Sequence, residues 1–583
     1  MSNDSSCYTN HALDQFLEHL IETGIQKVIR IGGQSSSTLL EGKNLRLVAQ
    51  TERRTGPERQ ILGATHGELE SHEKTVRSQL GAIKDLRKAE WACLDGHLRL
   101  RHPEIHRQFS RTDDEGFTRV TKLKPFDLWI SGKGENLRKY DRPAWDIEEI
   151  LNIANRNIYT VALSDRRRLV DHWTLDIQQS ITHKISDAMN TDATLRRQLT
   201  NVYDEVDRRV LETAEVIGVT TTGLAKRISV LRHVDAKVVV CEEAGEVLEA
   251  HMLSALIPSV QHLIQIGDHL QLRPQINNFS LSLESRQGRP YQLDRSQFER
   301  LAVSDSGRVP VSQLNVQRRM RPEISALIRN TLYARLMDHS NVETLPDVTG
   351  MRRNVYWCDH SNLEDSQGQD MKQRSKSNAW EVNMTHCLVR HLVRQGTYSS
   401  QDIAVLTPYT GQLQKLRAVL RQDFEIVLSE RDQTQLAKDG LVDESKHPAT
   451  EAGQTSLLQR KPMNELLRIA TVDNFQGEEA KVVIVSLVRS NKEKKVGFLR
   501  TTNRINVLLS RAQHGMFLIG NAETYSNVSM WSQVLGMLRF NDCVGEAFGL
   551  RCPRHPQTEI FVSDPNDFAI VSPEGGCREA CTS

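Results

Sequence analysis

Short runs of β-branched residues alternate with helical patterns in two separated parts of the chain. Residues 238–240 form a continuous apolar run, an amphipathic helical pattern follows, and residues 263–266 form the next apolar run. Strands without polar alternation are buried on both faces, as in parallel sheets covered by helices. The same succession covers 1–50 and 214–335 and returns over 380–530. The sequence therefore predicts an α/β fold built on parallel sheets.

The segments between these stretches differ in composition. A charged stretch rich in Arg and Leu has a helical pattern and is too long for a loop, so it predicts an inserted helical subdomain. A polar stretch later in the chain predicts a mobile insertion. The predicted organisation is the start of a first α/β domain at 1–59, a helical insertion at 60–213, the remainder of the first domain at 214–305, a second α/β domain at 306–535 with a mobile insertion at 428–464, and a C-terminal tail at 536–583.

Composition indicates the cellular compartment of the protein but says little about its function. The 75 basic and 74 acidic side chains leave a formal net charge of +1, so any basic groove has to arise from local arrangement. The nine cysteines are spread thinly, which favours a reducing, intracellular compartment, either nucleus or cytoplasm. No apolar run approaches the ~20 residues of a membrane span, and the polar N-terminus lacks a signal-peptide core.

An acidic pair, Glu242 and Glu243, follows the first apolar run. The carboxyl ends of buried parallel strands face the crevice where such sheets bind ligands. Adjacent carboxylates there can hold Mg²⁺, directly or through its water shell, and can orient an attacking water. The alternative interpretation is a solvated turn.

A Gly267-Asp268 turn ends the next apolar run, and Gln271 follows three residues later. An amide at this position is suited to sense a γ-phosphate or an attacking water. A polar loop without a ligand is the alternative.

Three arginines lie within four positions, just before a predicted helix start at Pro322. They are Arg318, Arg319 and Arg321. Guanidinium forks suit phosphate oxygens, although a basic helix edge would have the same composition. Arg511 precedes a strand of the second α/β layer, which would face the first. It therefore lies where an arginine finger would act.

The order of these motifs carries more information than any one of them. Residues 240–251 read Val-Cys-Glu-Glu-Ala-Gly-Glu-Val-Leu-Glu-Ala-His, 267–274 read Gly-Asp-His-Leu-Gln-Leu-Arg-Pro, and 318–325 read Arg-Arg-Met-Arg-Pro-Glu-Ile-Ser. The series resembles the superfamily-one helicases of the Upf type, and within them the NF-X-type zinc-finger helicases. The resemblance implies two RecA-like P-loop NTPase domains that bind ATP and Mg²⁺ and act on single-stranded RNA or DNA.

Site roles follow from the resemblance, position by position. Catalytic roles are implied for Glu242, which is also the Mg²⁺-associated position, and for Glu243, Gln271, Arg319 and Arg511. ATP contacts are implied for Asp268, Arg318, Gln476, Gly477 and Glu479. Contacts to the nucleic-acid strand are implied for Thr9, Asn10, Thr220, Thr221, Thr222, Pro408, Tyr409, Gln412 and Thr471.

Two positions depart from the pattern of the Upf-type helicases. Arg318 stands where those helicases commonly have a tyrosine stacked on the base, and a guanidinium plane can also stack. Lys481 stands where an aspartate is usual, which reverses a local charge.

A phosphate-binding loop of the form G-x-x-x-x-G-K-[ST] is expected about one helix and one strand before Cys7, and only six residues precede Cys7. Gly42-Lys43 and Gly132-Lys133 lack the required neighbours. The sequence as given is therefore expected not to hydrolyse ATP and to leave an apolar sheet edge. It predicts either a fragment of a larger helicase or a pseudo-helicase that binds RNA or partner proteins without turnover.

Four potential Zn²⁺ ligands lie in the tail: Cys552, His555, Cys577 and Cys581. Gly575-Gly576-Cys577 resembles the opening of an NF-X-type zinc finger, and a frayed terminus is the alternative. The resemblance further implies proteins of small-RNA silencing and heterochromatin complexes as partners.

Overall fold

The computed structural model describes residues 2–7, 10–33, 35, 37–86, 91–109, 125–132, 145–304, 309–365, 375–438 and 466–579. The chain divides into two compact units. An α/β unit contains Met1–Lys43, Ala214–Ile228 and Asp235–Ser583, and a helical unit contains Asn44–Thr213 and Ser229–Val234.

The first sheet of the α/β unit is parallel and has the order β2-β3-β1-β4-β5. Its strands are β1 (Ser2–Cys7), β2 (Val28–Ile31), β3 (Val216–Thr220), β4 (Ala236–Glu242) and β5 (His262–Gln265). Helix α1 (Asn10–Glu22) buries Leu13 and Leu17 against the sheet. Strand β5 is one edge of this sheet, and the side chain of Ile264 on it is 40% exposed.

The helical unit begins at Asn44 rather than at residue 60, because the Asn44 side chain caps the first of its helices. Trp129 and Trp173 are fully buried in its core. Its helices are α2 (Leu45–Thr51), α3 (Gly56–Leu86), α4 (Trp91–Arg101), α5 (Pro103–Phe109), α6 (Pro125–Ser131), α7 (Ile147–Arg156) and α8 (Leu163–Glu212).

Three helices follow β3, β4 and β5 in turn. They are α9 (Thr221–Leu231), α10 (Glu249–Ala255) and α11 (Gln297–Ala302). Strand–helix alternation with parallel pairing is what the sequence predicts for this part of the chain.

The second sheet has seven strands in the order β10-β11-β9-β12-β13-β8-β14, and all its pairings are parallel. Consecutive residues of its central strand pack into different cores. Val482 and Ile484 join one apolar cluster, while Val483 and Val485 join the other. This two-sided burial explains the uninterrupted apolar run of that strand.

The strands of this part, with two short pairs outside the large sheet, are β6 (Val316–Gln317), β7 (Met337–Asp338), β8 (Val355–Asp359), β9 (Ile403–Thr407), β10 (Ile426–Val427), β11 (Leu467–Thr471), β12 (Ala480–Ser486), β13 (Ala512–Gly520), β14 (Val544–Gly545), β15 (Phe548–Leu550) and β16 (Ile560–Val562). The helices are α12 (Pro322–Arg329), α13 (Ser340–Glu343), α14 (Ala379–Arg394), α15 (Thr410–Leu420), α16 (Glu430–Lys438), α17 (Thr502–Leu509), α18 (Ala522–Tyr525), α19 (Ser529–Phe540) and α20 (Asp567–Val571).

The segment predicted as a mobile insertion at 428–464 begins with a helix. Helix α16 carries Asp432, which is buried and accepts a hydrogen bond from Thr471 Oγ1 at 2.7 Å and from Asn474 Nδ2 at 2.7 Å. The buried carboxylate and its donors connect this helix to the end of β11. Residues 439–464 of the predicted insertion lie outside the described residues.

The C-terminal tail is folded against the second sheet. Strands β15 and β16 form an antiparallel pair, and Phe548, Val562 and Phe568 are part of an apolar cluster of that sheet. The expectation of a frayed terminus therefore does not hold for residues 544–579.

Candidate nucleotide site

Strand β4 ends at the acidic pair. Glu242 is its last residue, and Glu243 has left-handed backbone angles of φ 51° and ψ 40°. Such a conformation is costly for a residue with a side chain and persists only where the surroundings hold it. Burial, together with the charge of Glu243, raises the pKa of Glu242. The loop thus concentrates negative charge at the carboxyl edge of the first sheet.

Two glycines let this loop pack directly on the turn after β5. A Cβ on Gly267 would approach the backbone nitrogens of Ala244 and Gly245 to 3.0 Å, and a Cβ on Gly245 would lie 2.9 Å from Asp268 O. Ala244 N donates to Ile266 O at 2.9 Å, which joins the two segments. Glycines are needed here because the two backbones are in contact. They bring the acidic pair next to the turn at 267–271, the sensor turn, which contains Asp268 and Gln271.

A glutamine of the second domain bonds both segments. Gln476 Nε2 donates to Glu243 Oε2 at 3.0 Å, and Gln476 Oε1 accepts from Leu272 N at 3.1 Å. Gly477 follows with φ +80°, and a Cβ there would lie 3.8 Å from Glu243 Oε1. Both residues were predicted as ATP contacts, and the structure places them against the acidic pair.

Arg511 lies beside the sensor turn. Its Nη2 donates to Gln271 Oε1 at 3.4 Å, and its Nε donates to Val507 O at 2.8 Å. Only 2% of Arg511 is exposed, and burial together with the nearby charge of Arg319 lowers its pKa to about 10. The guanidinium remains charged at neutral pH, so it supplies buried positive charge close to the acidic pair.

Arg318, Arg319 and Glu479 line one open pocket together with Gln513. Arg319 is paired with Glu479 and also donates to Ser510 O at 3.3 Å. Gln513 Nε2 donates to the other oxygen of Glu479 at 2.7 Å. These pairings hold the predicted ATP-contact residues in one place, with Arg318 exposed at the rim.

Sequence reasoning missed the residues that join the two domains on the other side of the sensor turn. Asn506 Nδ2 donates to Leu270 O at 2.9 Å and to Tyr333 Oη at 2.6 Å, and Tyr333 Oη donates to Asp268 Oδ2 at 2.5 Å. Asn503 Nδ2 donates to His269 O at 3.1 Å. Burial and the charge of Asp268 raise the pKa of Tyr333, so its hydroxyl stays a donor. The only available signal was the polar positions within an otherwise apolar helix α17.

Several side chains that were predicted to contact the nucleic-acid strand make hydrogen bonds within the protein. Gln412 is fully buried and bonds Ser486 Oγ at 2.8 Å, and Tyr409 Oη donates to Val496 O at 3.3 Å. Thr220 Oγ1 accepts from Gly223 N at 3.1 Å. Together with Thr471, which bonds Asp432, these side chains position their turns.

Among the residues predicted to contact the nucleic-acid strand, Thr222 is exposed and Pro408 is partly exposed, whereas Thr221 is buried. Thr9 and the side chain of Asn10 lie outside the described residues. The charge reversal at Lys481 has a local partner, since Lys481 Nζ lies 2.8 Å from Asp402 Oδ1.

Three of the four predicted zinc ligands meet in the tail. The ligand atoms of Cys552, His555 and Cys577 all lie within 4.8 Å of one another. The fourth, Cys581, lies outside the described residues. Across the part of the chain that the structure describes, no helix is both long enough and apolar enough to cross a membrane.

Comparisons with known proteins agree with this architecture of two α/β domains that share one site. Two families, each described as an AAA domain, match residues 6–278 and 293–523. The chain is 29% identical to the NFX1-type zinc finger-containing protein 1 of Mus musculus over 99% of this chain and 33% of that protein. It is 35% identical to the Homo sapiens protein of the same name over 73% of this chain and 19% of that protein.

A third relative is the Helicase required for RNAi-mediated heterochromatin assembly 1 of Schizosaccharomyces pombe, 33% identical over 62% of this chain and 32% of that protein. The chain thus spans a third or less of the length of these relatives. The two parallel sheets and the two matched domains define the class as helicases with two α/β domains. The chain belongs to the superfamily-one helicases, a class of ATP-dependent enzymes, and within them it is similar to the NFX1-type zinc finger-containing proteins.

Proposed function

We propose that this chain forms an ATP-dependent motor core that acts on single-stranded RNA. The observation that carries the proposal is the bonding between the carboxyl edges of the two sheets, where Gln476 contacts Glu243 and Arg511 contacts Gln271. A nucleotide bound at this junction would hold the domains together until hydrolysis releases them.

The acidic pair suits Mg²⁺. Carboxylate oxygens are the ligands this cation prefers, and burial together with the charge of Glu243 raises the pKa of Glu242, so a divalent cation would stabilise its charged form. Glu242 would hold the ion, with Glu243 nearby. The ion would supply charge stabilisation to the phosphate oxygens.

The remaining residues have distinct roles in the proposed hydrolysis. Glu243 accepts the proton of the attacking water, and Gln271 orients that water. Arg511 and Arg319 stabilise the charge that develops on the γ-phosphate. Asp268, Arg318, Gln476, Gly477 and Glu479 surround the nucleotide.

The strand-binding track would run along the turns after β3 and β9, which expose Thr222 and Pro408. Contacts of this kind go mainly to the backbone and carry little sequence preference. RNA is the favoured strand because the relative from Schizosaccharomyces pombe is a helicase named for RNAi-mediated heterochromatin assembly. For the same reason we propose silencing-complex proteins as partners, in the nucleus or cytoplasm.

A second candidate function is an RNA-binding scaffold without ATP turnover. It is favoured by one observation, namely that the 583 residues contain no G-x-x-x-x-G-K-[ST] loop to hold the β- and γ-phosphates. In this case the contacts between the two sheets would persist without nucleotide.

RNA-stimulated ATPase activity of the 583-residue chain, measured beside single-stranded RNA binding, separates the two functions. Turnover that falls by about 10²–10⁴-fold in Glu243→Gln supports the motor and overturns the sequence-based expectation that the 583 residues alone do not hydrolyse ATP. RNA binding without turnover supports the scaffold. Failure to bind single-stranded RNA contradicts both, and tighter binding of a DNA oligonucleotide of the same sequence contradicts the assignment to RNA.

A further inference from the structure

Phe498 is exposed in a loop after β12 whose neighbouring side chains are buried. The residue is 53% exposed, whereas Val496 and Leu499 are 4% and 0% exposed and belong to an apolar cluster of the second sheet. Gly497 has a φ of +74°, and a Cβ there would collide with the Tyr409 hydroxyl. The loop is therefore fixed on both sides of a phenylalanine that stays outside the core.

Two side chains hold the ring of Phe498 in place. The guanidinium carbon of Arg504 lies over the ring at 5.4 Å from its centroid, and Arg504 Nε donates to both carboxylate oxygens of Asp473 at 2.9 and 3.3 Å. The ring of Tyr409 packs against Phe498 with 5.3 Å between centroids, and Tyr409 Oη donates to Val496 O at 3.3 Å. A ring fixed in this way loses little conformational freedom when a ligand binds to it.

Basic side chains without acidic partners flank the ring. Lys492 and Arg500 are exposed, and neither forms an ion pair with another residue that the structure describes. Lys494 and Lys495, which lie between them in the chain, are each paired with a glutamate. An exposed aromatic ring beside unpaired cations suits a single-stranded nucleic acid, because the ring stacks on a base and the cations contact phosphates.

We propose that Phe498 stacks on one nucleobase of a bound single strand of RNA, and that Lys492 and Arg500 contact the phosphates next to that base. The proposal rests on the function proposed above and adds a base contact to a track of backbone contacts. Tyr409 is 5% exposed, so Phe498 is the aromatic residue of this pair that presents its ring to solvent. Every base has a π face, so this contact adds affinity with little sequence preference.

A purely structural role for Phe498, as a cover over Arg504, makes a different prediction. Its replacement would then lower stability and leave RNA binding unchanged. The chain offers a matched control in Phe561 of β16, which is 54% exposed and has the guanidinium carbon of Arg352 at 5.8 Å from its ring centroid. Phe561→Ala removes an exposed ring and a cation–π contact of the same kind in the C-terminal tail.

Fluorescence anisotropy of a labelled oligouridine of about twelve nucleotides, titrated with the full 583-residue chain, tests the proposal. Phe498→Ala should weaken binding by about 5- to 150-fold, the range for loss of one stacked base. Phe498→Trp and Phe561→Ala should bind as tightly as wild type. A strand of the same length that carries only abasic ribose-phosphate units should bind wild type and Phe498→Ala equally.

The outcomes separate this proposal from the function on which it rests. Equal affinity of wild type and Phe498→Ala for oligouridine overturns the stacking contact alone. An equal loss for oligouridine and for the abasic strand also overturns it, because the lost contact would not involve a base. No binding of oligouridine by wild type overturns the proposed function together with the stacking contact.

The salt dependence of the same titration tests the phosphate contacts. Lys492→Ala and Arg500→Ala should each reduce the slope of log affinity against log salt by about 0.7, the value for one phosphate on a single strand. Lys494→Ala should leave the slope unchanged because Lys494 is paired with Glu523. Unchanged slopes in Lys492→Ala and Arg500→Ala contradict the phosphate contacts.

A second measurement uses only the wild-type chain and therefore does not depend on how the variants fold. A 5-iodouridine placed at each position of the oligouridine in turn forms a photocrosslink to an aromatic side chain on which it stacks. Mass spectrometry of the irradiated complexes should locate a crosslink at Phe498. The absence of a crosslink at Phe498 from every position of the strand contradicts the proposal.

Discussion

Gln476 and Glu243 are joined by a hydrogen bond of 3.0 Å between residues 233 positions apart in the chain. Because the same amide also accepts from Leu272 N, one side chain of the second domain holds both the acidic pair and the sensor turn of the first. The arrangement of these carboxylates therefore depends on contact between the two domains.

Replacing Gln476 with Ala should loosen the sensor turn. The Leu272 N–H loses its acceptor, and a hydrogen bond of this kind contributes about 0.5–1.5 kcal/mol, so amide exchange at Leu272 should accelerate by roughly two- to tenfold. Gln513→Ala is the matched control, because Gln513 contacts Glu479 and not Glu243. Unchanged exchange in Gln476→Ala would show that the contact does not hold the turn.

Removing the Tyr333 hydroxyl should weaken the hydrogen bonds that join the two α/β domains at Asp268. Tyr333→Phe leaves the Asn506 amide and the Asp268 carboxylate without a shared partner, and we expect a loss of about 1–3 kcal/mol in the free energy of unfolding, measured by denaturant titration. Tyr291→Phe is a suitable control because Tyr291 is 72% exposed. Equal stability of the two variants would contradict the inferred network.

Glu381 should be among the most sensitive positions of the second domain. It is fully buried, accepts from Ser486 Oγ at 2.6 Å and Val488 N at 2.8 Å, and lies 3.1 Å from His360 Nε2. Val488 has φ 73°, a strained value for a β-branched residue, and these bonds hold it.

Glu381→Ala should therefore cost about 3–5 kcal/mol of unfolding free energy, as for other broken buried networks. Glu381→Gln keeps the shape and part of the hydrogen bonding, so its loss should be smaller. Thermal denaturation of both variants shows whether Glu381→Ala loses more stability than Glu381→Gln. An equal loss of stability would argue against the hydrogen bonds of Glu381 as the cause.

Acid sensitivity of the helical unit should depend on one ion pair. The Arg209 side chain hydrogen-bonds Glu58 and lowers the pKa of that carboxyl from 4.5 to about 2. A depressed folded-state pKa stabilises the fold above pH 4.5, and this contribution disappears as the pH falls from about 4.5 towards 2.

Glu58→Gln should remove that contribution, so the Tm difference between wild type and variant should shrink as the pH is lowered through this range. At pH 7 we expect a Tm difference of roughly 2–4 °C, which corresponds to a net contribution of about 1 kcal/mol from an ion pair that solvent partly screens. Glu68→Gln, at an exposed position of the same helix, is the control. A Tm difference independent of pH would contradict the ion pair as its origin.

Local sequence was sufficient to predict the position of a residue wherever that position depends on the end of a β-strand. Glu242 and Asp268 were recognisable because parallel strands present their carboxyl ends at one edge, and the apolar runs before them mark those ends. The two-sheet α/β architecture followed from the same runs. The orientation of single polar side chains did not follow from the sequence: Gln412 and Thr471, which the resemblance predicts to contact the nucleic-acid strand, are buried in the structure.

The sequence by itself determined the fold class, the family and the residue types of the nucleotide site, because each depends on short-range patterns and on the order of motifs. Tertiary structure decided which of those residues meet. The contact between Gln476 and Glu243 and the link from Tyr333 to Asp268 join residues far apart in the chain, and Cys577 meets Cys552 and His555 only because the intervening segment folds back. Their geometry is set by how sheets and turns pack, which no local pattern records.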